Sequence, residues 1–220
     1  MGTLYLVRHG QASFGAANYD QLSPLGERQS QLLGQHFKRH GVTFSSALTG
    51  TLKRHTQTYT GICDGMGTAL SALALPGLNE YLPEAVIAAI HPQPLAKPDT
   101  PETYRQHFRL LRDGLSAWMA GTVQPAGMLT YAEFTQGISH ALAHVRNQCD
   151  GNVLLASSGG PIACAVAQVL GCGPEATIEL NFRLRNSAVT ELVFNPKRLH
   201  LLTFNTLPHL QDRPDWVTFT

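Results

Sequence analysis

Leu4-Tyr5-Leu6-Val7-Arg8-His9-Gly10 runs from four apolar residues straight into a cation, an imidazole and a glycine. The apolar run has the length of a strand buried on both faces, as found inside a parallel sheet. In open α/β sheets, ligands bind just beyond the carboxyl ends of the strands. At such a place His9 has the chemistry of a nucleophile, and Arg8 that of an anion holder beside it. A surface loop with a solvated Arg8 and a capping His9 would carry the same tripeptide, so the remainder of the chain has to decide.

Outward from this strand, the sequence alternates helical and extended signals. Ser23-Pro24 is a helix start, a hydroxyl N-cap before proline at the first helical position, and Leu25, Leu32, Leu33 and Phe37 follow at helical spacing until Gly41. A strand is expected at 44–48, a helix at 51–62 with Arg54 near its beginning, and a third strand at 72–77. A connector carries Pro92, Pro94, Pro98 and Pro101. A helix then starts at Thr100-Pro101, with Tyr104, Phe108, Leu111, Leu115 and Trp118 on one face, which reads as core. Another helix is expected at 131–149. Val153-Leu154-Leu155-Ala156 is a second continuously apolar strand, followed by Ser157-Ser158-Gly159-Gly160-Pro161 and a helix through Leu170. Two paired strands at 188–194 and 199–204 close the pattern around Asn195-Pro196-Lys197-Arg198. The predicted fold class is α/β: three layers, α/β/α, with a mostly parallel central sheet. The expected organisation is one domain over 1–220, with a helical insertion at 81–150 covering the site.

Composition narrows the function classes. The chain has 220 residues, 43% of them hydrophobic, enough for a sizeable core. A net charge of +1 gives no surface for nucleic acid, so an anionic ligand must meet a local arginine cluster. No apolar run approaches bilayer length, and the first residues lack a basic segment leading into an apolar one. Cys63, Cys149, Cys164 and Cys172 show no paired metal-ligand spacing and read as reduced thiols. The expectation is a cytoplasmic protein with no membrane or nucleic-acid partner. His140 and His144 stand four apart on a helix, but no His-Glu-x-x-His pattern accompanies them, so no metal and no cofactor is expected. Arg105, Arg109 and Arg112 could meet additional negative charge, although such residues usually mark a solvated helix face.

Several segments, taken in order, resemble the histidine phosphatase superfamily, the phosphoglycerate-mutase-like proteins that pass a phosphoryl group through a phosphohistidine. They are Leu4 to Ala12, Tyr19-Asp20-Gln21-Leu22-Ser23-Pro24-Leu25-Gly26-Glu27-Arg28-Gln29, Leu52-Lys53-Arg54-His55-Thr56-Gln57-Thr58, Leu78-Asn79-Glu80, Ser158-Gly159-Gly160-Pro161-Ile162 and Asn186-Ser187-Ala188-Val189-Thr190-Glu191-Leu192. The resemblance implies a phosphomonoester hydrolase acting on a small-molecule phosphate ester. His9 would be the nucleophile, Arg8 and Arg54 would clamp the phosphoryl group, and Glu80 would serve as general acid and base, with Glu84 a nearby competitor. One position departs from the family: where it usually carries a second catalytic histidine, this chain has Ser158. A serine hydroxyl supplies a donor without charge, joined by the amides of Gly159 and Gly160 at a helix start. Loss of one preorganised donor typically costs on the order of 100- to 1,000-fold in rate, so a slow phosphatase is expected. Gln11 and Ser13 are further candidate phosphate contacts, and Asn18 is either another or a turn residue. Two rival functions stay open: a catalytically degenerate phospho-ligand binder, and, more weakly, a phosphoglycerate mutase.

Overall fold

The computed structural model describes residues 1–13, 20–95 and 99–219. Six strands form one sheet: β1 (Gly2–Arg8), β2 (Ser46–Thr49), β3 (Ala72–Ala74), β4 (Gly151–Ser157), β5 (Val189–Phe194) and β6 (Leu199–Thr206). Their order is β3-β2-β4-β1-β5-β6. The first four run parallel to one another, while β5 runs antiparallel to β1 and to β6. The expected α/β/α sandwich with a mostly parallel sheet is what the chain forms.

The continuous apolar runs of β1 and β4 follow from this topology, because helices cover both sheet faces. Leu4 and Leu6 of β1 and Val153 and Leu155 of β4 enter one core. Val7, Leu154 and Ala156 point the other way, into a second core with Leu33, Phe37, Tyr59 and Ile62. That second core lies under α1 (Pro24–Arg39) and α2 (Lys53–Met66). The larger core lies under α3 (Pro83–Ala88), α4 (Pro101–Met119), α5 (Tyr131–Gln148), α6 (Gly159–Leu170) and α7 (Pro174–Arg183). The chain leaves β1 by a helix on one face and β4 by a helix on the other. The adjacent carboxyl ends of β1 and β4 therefore sit at a crevice where the winding reverses.

Local chemistry explains most element boundaries. Ser23 accepts a hydrogen bond from the Gly26 amide and caps α1, as its sequence announces. Thr130 and Glu133 form a reciprocal capping box at the start of α5. The strand expected at 72–77 stops at Ala74, because Pro76 lacks a ladder donor and opens a 3-10 turn, Pro76–Leu78. Two helices, α3 and α7, were not expected. Both begin on a proline at the first helical position, with Glu84 and Glu175 in their first turns.

The face of α4 corrects a sequence expectation. Leu111, Leu115 and Trp118 are core, but Tyr104 and Phe108 stay 39% and 42% exposed. The helix extends past the core it packs on, so its first turns keep the apolar period but are only partly covered. Asn18 and Pro98 lie outside the described residues. All four cysteines are free. Among the described residues, no helix is long and apolar enough to cross a membrane.

Candidate active site

The register of the sheet assembles the site. Arg8 is level with Ser157, and Thr49 is level with Ala156, so the chain leaves β1, β2 and β4 at one edge. His9 follows directly, with its amide bonded to the Ser157 carbonyl at 2.8 Å. Its own carbonyl accepts from the Ser187 amide at 3.1 Å and from Asn186 Nδ2 at 3.3 Å. Gly10 is required here by close approach: a Cβ on it would lie 2.4 Å from the Gly26 carbonyl oxygen of α1.

The His9 ring is buried and polarised. Its Nδ1 lies 2.8 Å from the Gly10 carbonyl oxygen, an acceptor only, so Nδ1 carries the proton. Nε2 is then the lone-pair nitrogen. Burial above all, then the charges of Arg8 and Arg54 and the nearby His55, hold the His9 pKa well below its ordinary value, against the Gly10 bond. The surroundings therefore favour the neutral imidazole over the imidazolium.

Two guanidiniums flank it. Arg8 donates to the Leu184 and Phe219 carbonyls, the latter at 2.9 Å. Arg54 sits in the first turn of α2, which has no side-chain cap of its own. Asp20 fills that place: its carboxylate accepts from the Lys53 amide at 3.0 Å, and Arg54 Nη1 donates to it at 3.0 Å. One acid thus satisfies helix-terminal donors and orients the Arg54 fork.

Glu80 closes the arrangement, delivered by the loop after the 3-10 turn. The Gly160 amide, at the start of α6, approaches its two oxygens at 3.2 and 3.1 Å. A Cβ on Gly160 would stand 2.2 Å from Glu80 Oε1, so a side chain there would push the carboxyl group out of this position. Burial raises the Glu80 pKa, partly opposed by the Gly160 bond, the charges of Arg54 and Arg8 and the Tyr81 amide. A raised carboxyl pKa is what a proton donor near neutral pH needs.

Arg8, His9, Arg54 and Glu80 line one cavity of about 250 Å³. Glu84 reaches its wall as well, but from an exposed position on α3. The other predicted contacts are placed elsewhere. Ser158 is fully buried, and its Oγ lies 2.6 Å from Nε2 of the equally buried His55 rather than on the cavity lining. Gly159 is packed beside Asn181 and Arg8. Gln11 accepts from the Ser23 hydroxyl at 2.8 Å, and the Ser13 hydroxyl donates to the Leu22 carbonyl at 3.0 Å. Neither lines the cavity; they tie residues 11–13 to residues 22–23 ahead of α1. His140 is exposed and His144 half-buried on α5, and neither reaches the cavity. Among the described residues, no group of three or more His, Cys, Asp and Glu side chains could hold a metal ion.

Sequence reasoning assigned no role to Asp20, His55, Tyr81, Asn181 or Phe182. Asp20 and His55 lie inside the quoted motifs, and their roles emerge only when α2 is set against the β1 loop. Asn181 and Phe182 sit on α7, whose sequence signal is Gly173-Pro174-Glu175.

A sequence profile described as "Histidine phosphatase superfamily (branch 1)" matches residues 4–207. A Yersinia enterocolitica protein named "Probable phosphoglycerate mutase GpmB" is 26% identical over 200 residues, covering 86% of this chain and 83% of that protein. The alpha-ribazole phosphatase structure from Shigella flexneri superposes with a TM-score of 0.64 at 21% identity, covering 93% of this chain and 96% of that one. A phosphoserine phosphatase from Entamoeba histolytica, in complex with 3-phosphoglyceric acid, gives 0.67 at 20% identity, covering 96% and 100%. At these identities the likeness to solved structures is one of fold.

Proposed function

Since the chain belongs to the histidine phosphatase superfamily, we propose that it is a phosphomonoester hydrolase working through a phosphohistidine on His9. The observation that carries this reading is the Nδ1 bond of His9 to the Gly10 carbonyl. It leaves Nε2 as the nucleophile in a ring that shares its cavity with two arginines and a carboxyl group of raised pKa.

In the first step, His9 Nε2 attacks phosphorus while Arg8 and Arg54 hold the equatorial oxygens. The bond from phosphorus to the leaving oxygen breaks, and the Glu80 carboxyl proton passes to that oxygen, releasing an alcohol. In the second step, the Glu80 carboxylate takes a proton from water as the water oxygen attacks phosphorus, and the bond from phosphorus to His9 Nε2 breaks. Inorganic phosphate leaves, and His9 and Glu80 return to their starting states. Residues 81–150 act as a cap in this reading, supplying Leu82, Pro83, Phe108 and Leu111 to the cavity wall.

The test is hydrolysis of an activated aryl phosphate from about pH 5 to 8, wild type against His9→Ala. Activity lost in the variant supports the phosphohistidine route; equal activity in both counts against it. A second reading, phospho-ligand binding without turnover, is favoured by Ser158, whose hydroxyl faces His55 instead of the cavity. Phosphate affinity without His9-dependent hydrolysis would select it. A mutase would return the phosphoryl group to a second hydroxyl, so release of inorganic phosphate in each turnover separates it from a hydrolase.

A further inference from the structure

The phosphate-binding floor occupies one end of the cavity, and the rest of it has a different chemistry. Leu82, Pro83, Phe108, Leu111, Phe182 and Phe219 form the wall. Leu82, Phe108 and Phe219 are 51%, 42% and 55% exposed, so this wall keeps large apolar surface uncovered. Phe108 meets Phe182 edge to face, with ring centroids 5.7 Å apart, which makes a two-ring platform rather than two isolated side chains.

The polar groups at the wall do not favour a second anion. Among the described residues, Arg8 and Arg54 are the cations lining the cavity. Arg112 is close by, but it is paired with Glu179, and its guanidinium lies over the Phe182 ring, 5.5 Å from the centroid. Asn181 is engaged with the Tyr81 hydroxyl at 2.8 Å. Among the described residues, the remaining charge on the wall is Glu84, which repels a carboxylate.

We infer that the leaving group of the substrate is apolar or aromatic, and that carboxylate-bearing esters of the phosphoglycerate and phosphoserine type are discriminated against. This inference rests on the reading of the floor as a phosphoryl site, because that fixes which end of the ligand meets the wall. A volume of about 250 Å³ lies below the range of about 300–1,000 Å³ typical of drug-sized ligands. A phosphoryl group with a leaving group of one or two rings is the size that suits it. Apolar contacts of this extent typically separate substrates by about 10- to 200-fold.

The experiment compares two non-hydrolysable phosphonates on the wild-type protein by calorimetry: 3-phenylpropylphosphonate and 3-carboxypropylphosphonate. The expected result is at least about 10-fold tighter binding of the phenyl compound. Phe108→Ala, on an exposed side chain, should weaken the phenyl compound several-fold and leave the carboxyl compound unchanged. Glu84→Lys should strengthen the carboxyl compound. Equal or tighter binding of the carboxyl compound by the wild type overturns the inference, as does a Phe108→Ala variant that binds both as before. In parallel, hydrolysis of 2-phenylethyl phosphate is compared with that of 3-phosphoglycerate, whose alkoxide leaving group is similar, in wild type and His9→Ala. Absence of His9-dependent hydrolysis would remove the catalytic reading, while the phosphonate ratio still decides the nature of the wall.

Discussion

The cavity floor takes Arg8 and His9 from the end of β1, Arg54 from the first turn of α2 and Glu80 from the loop before α3, and it ties each by hydrogen bonds. The wall takes Leu82, Phe108 and Phe219 from segments far apart in the chain and leaves about half of each side chain exposed. A floor that must stabilise developing charge works only if its dipoles are fixed before the reaction. A wall that only recognises an apolar group can keep its rotamers and close on the ligand. Substitutions in the floor should therefore change kcat, and substitutions in the wall should change KM.

The largest break in this comparison is His9→Ala. Removing a nucleophile costs on the order of 10⁴- to 10⁶-fold, so the variant should fall to background in a phosphate-release assay while its melting temperature stays near wild type. Glu80→Gln comes next, with an expected loss of about 10²- to 10⁴-fold in kcat. It also alters the pH profile. In the proposed mechanism Glu80 must be protonated to donate, and its pKa is raised, so wild-type kcat should decline as pH rises through that value. His9 must be neutral to attack, and its depressed pKa keeps it so well below pH 6.5. The optimum lies between the two pKa values, and the Gln variant should lose the alkaline limb while keeping the acidic one.

The floor was the legible part of the sequence, because its residues lie in short local motifs whose chemistry is specific at close spacing. The wall was not. Phe108 shares a helical period with Leu111, Leu115 and Trp118, and periodicity marks a face without saying where along the helix the core ends. The same stripe is therefore core at Trp118 and cavity lining at Phe108. The fate of Ser158 was hidden for another reason. Its hydroxyl was expected on phosphate, but it faces a buried imidazole 103 positions away in the chain, and local pattern carries no trace of that pairing.

That imidazole makes the support behind the floor sensitive to acid. Burial, and then the charge of Arg54, lower the His55 pKa to about 3, and burial together with His36 does the same for His209. The unfolded chain binds these protons near pH 6.5 and the folded protein does not. Their contribution to stability is thus complete above pH 6.5 and is lost as pH falls toward about 3. The expected slope is about 1.4 kcal/mol per pH unit for each ring. Thermal melts at pH 7, 5.5 and 4 should show a steep decline for wild type and a shallower one for His55→Gln. Parallel curves would mean that His55 titrates normally.

Asp20→Asn probes how far the floor depends on being held. The amide oxygen of asparagine can still accept from the Lys53 amide, but the charged pairing with Arg54 is gone. Asp20 is 37% exposed at its side chain, so the lost pairing is partly screened, and a decrease of about 10-fold in kcat is expected with the fold intact. A change confined to KM would show that Arg54 binds phosphate equally in the ground and transition states.

Leu82→Ala should have the smallest effect, and it tests the wall directly. Leu82 is 51% exposed, so a ligand can remove only part of its surface from water. Burying a whole leucine is worth about 1.5–3 kcal/mol, and half of that corresponds to about 3- to 10-fold in affinity. KM for 2-phenylethyl phosphate should rise within that range, with kcat unchanged and with little change for a carboxylated ester. A fall in kcat instead would mean that the wall positions the leaving oxygen against Glu80. The two ends of the cavity would then act as one unit, and the separation of chemistry from recognition would fail at Leu82, two residues after the acid.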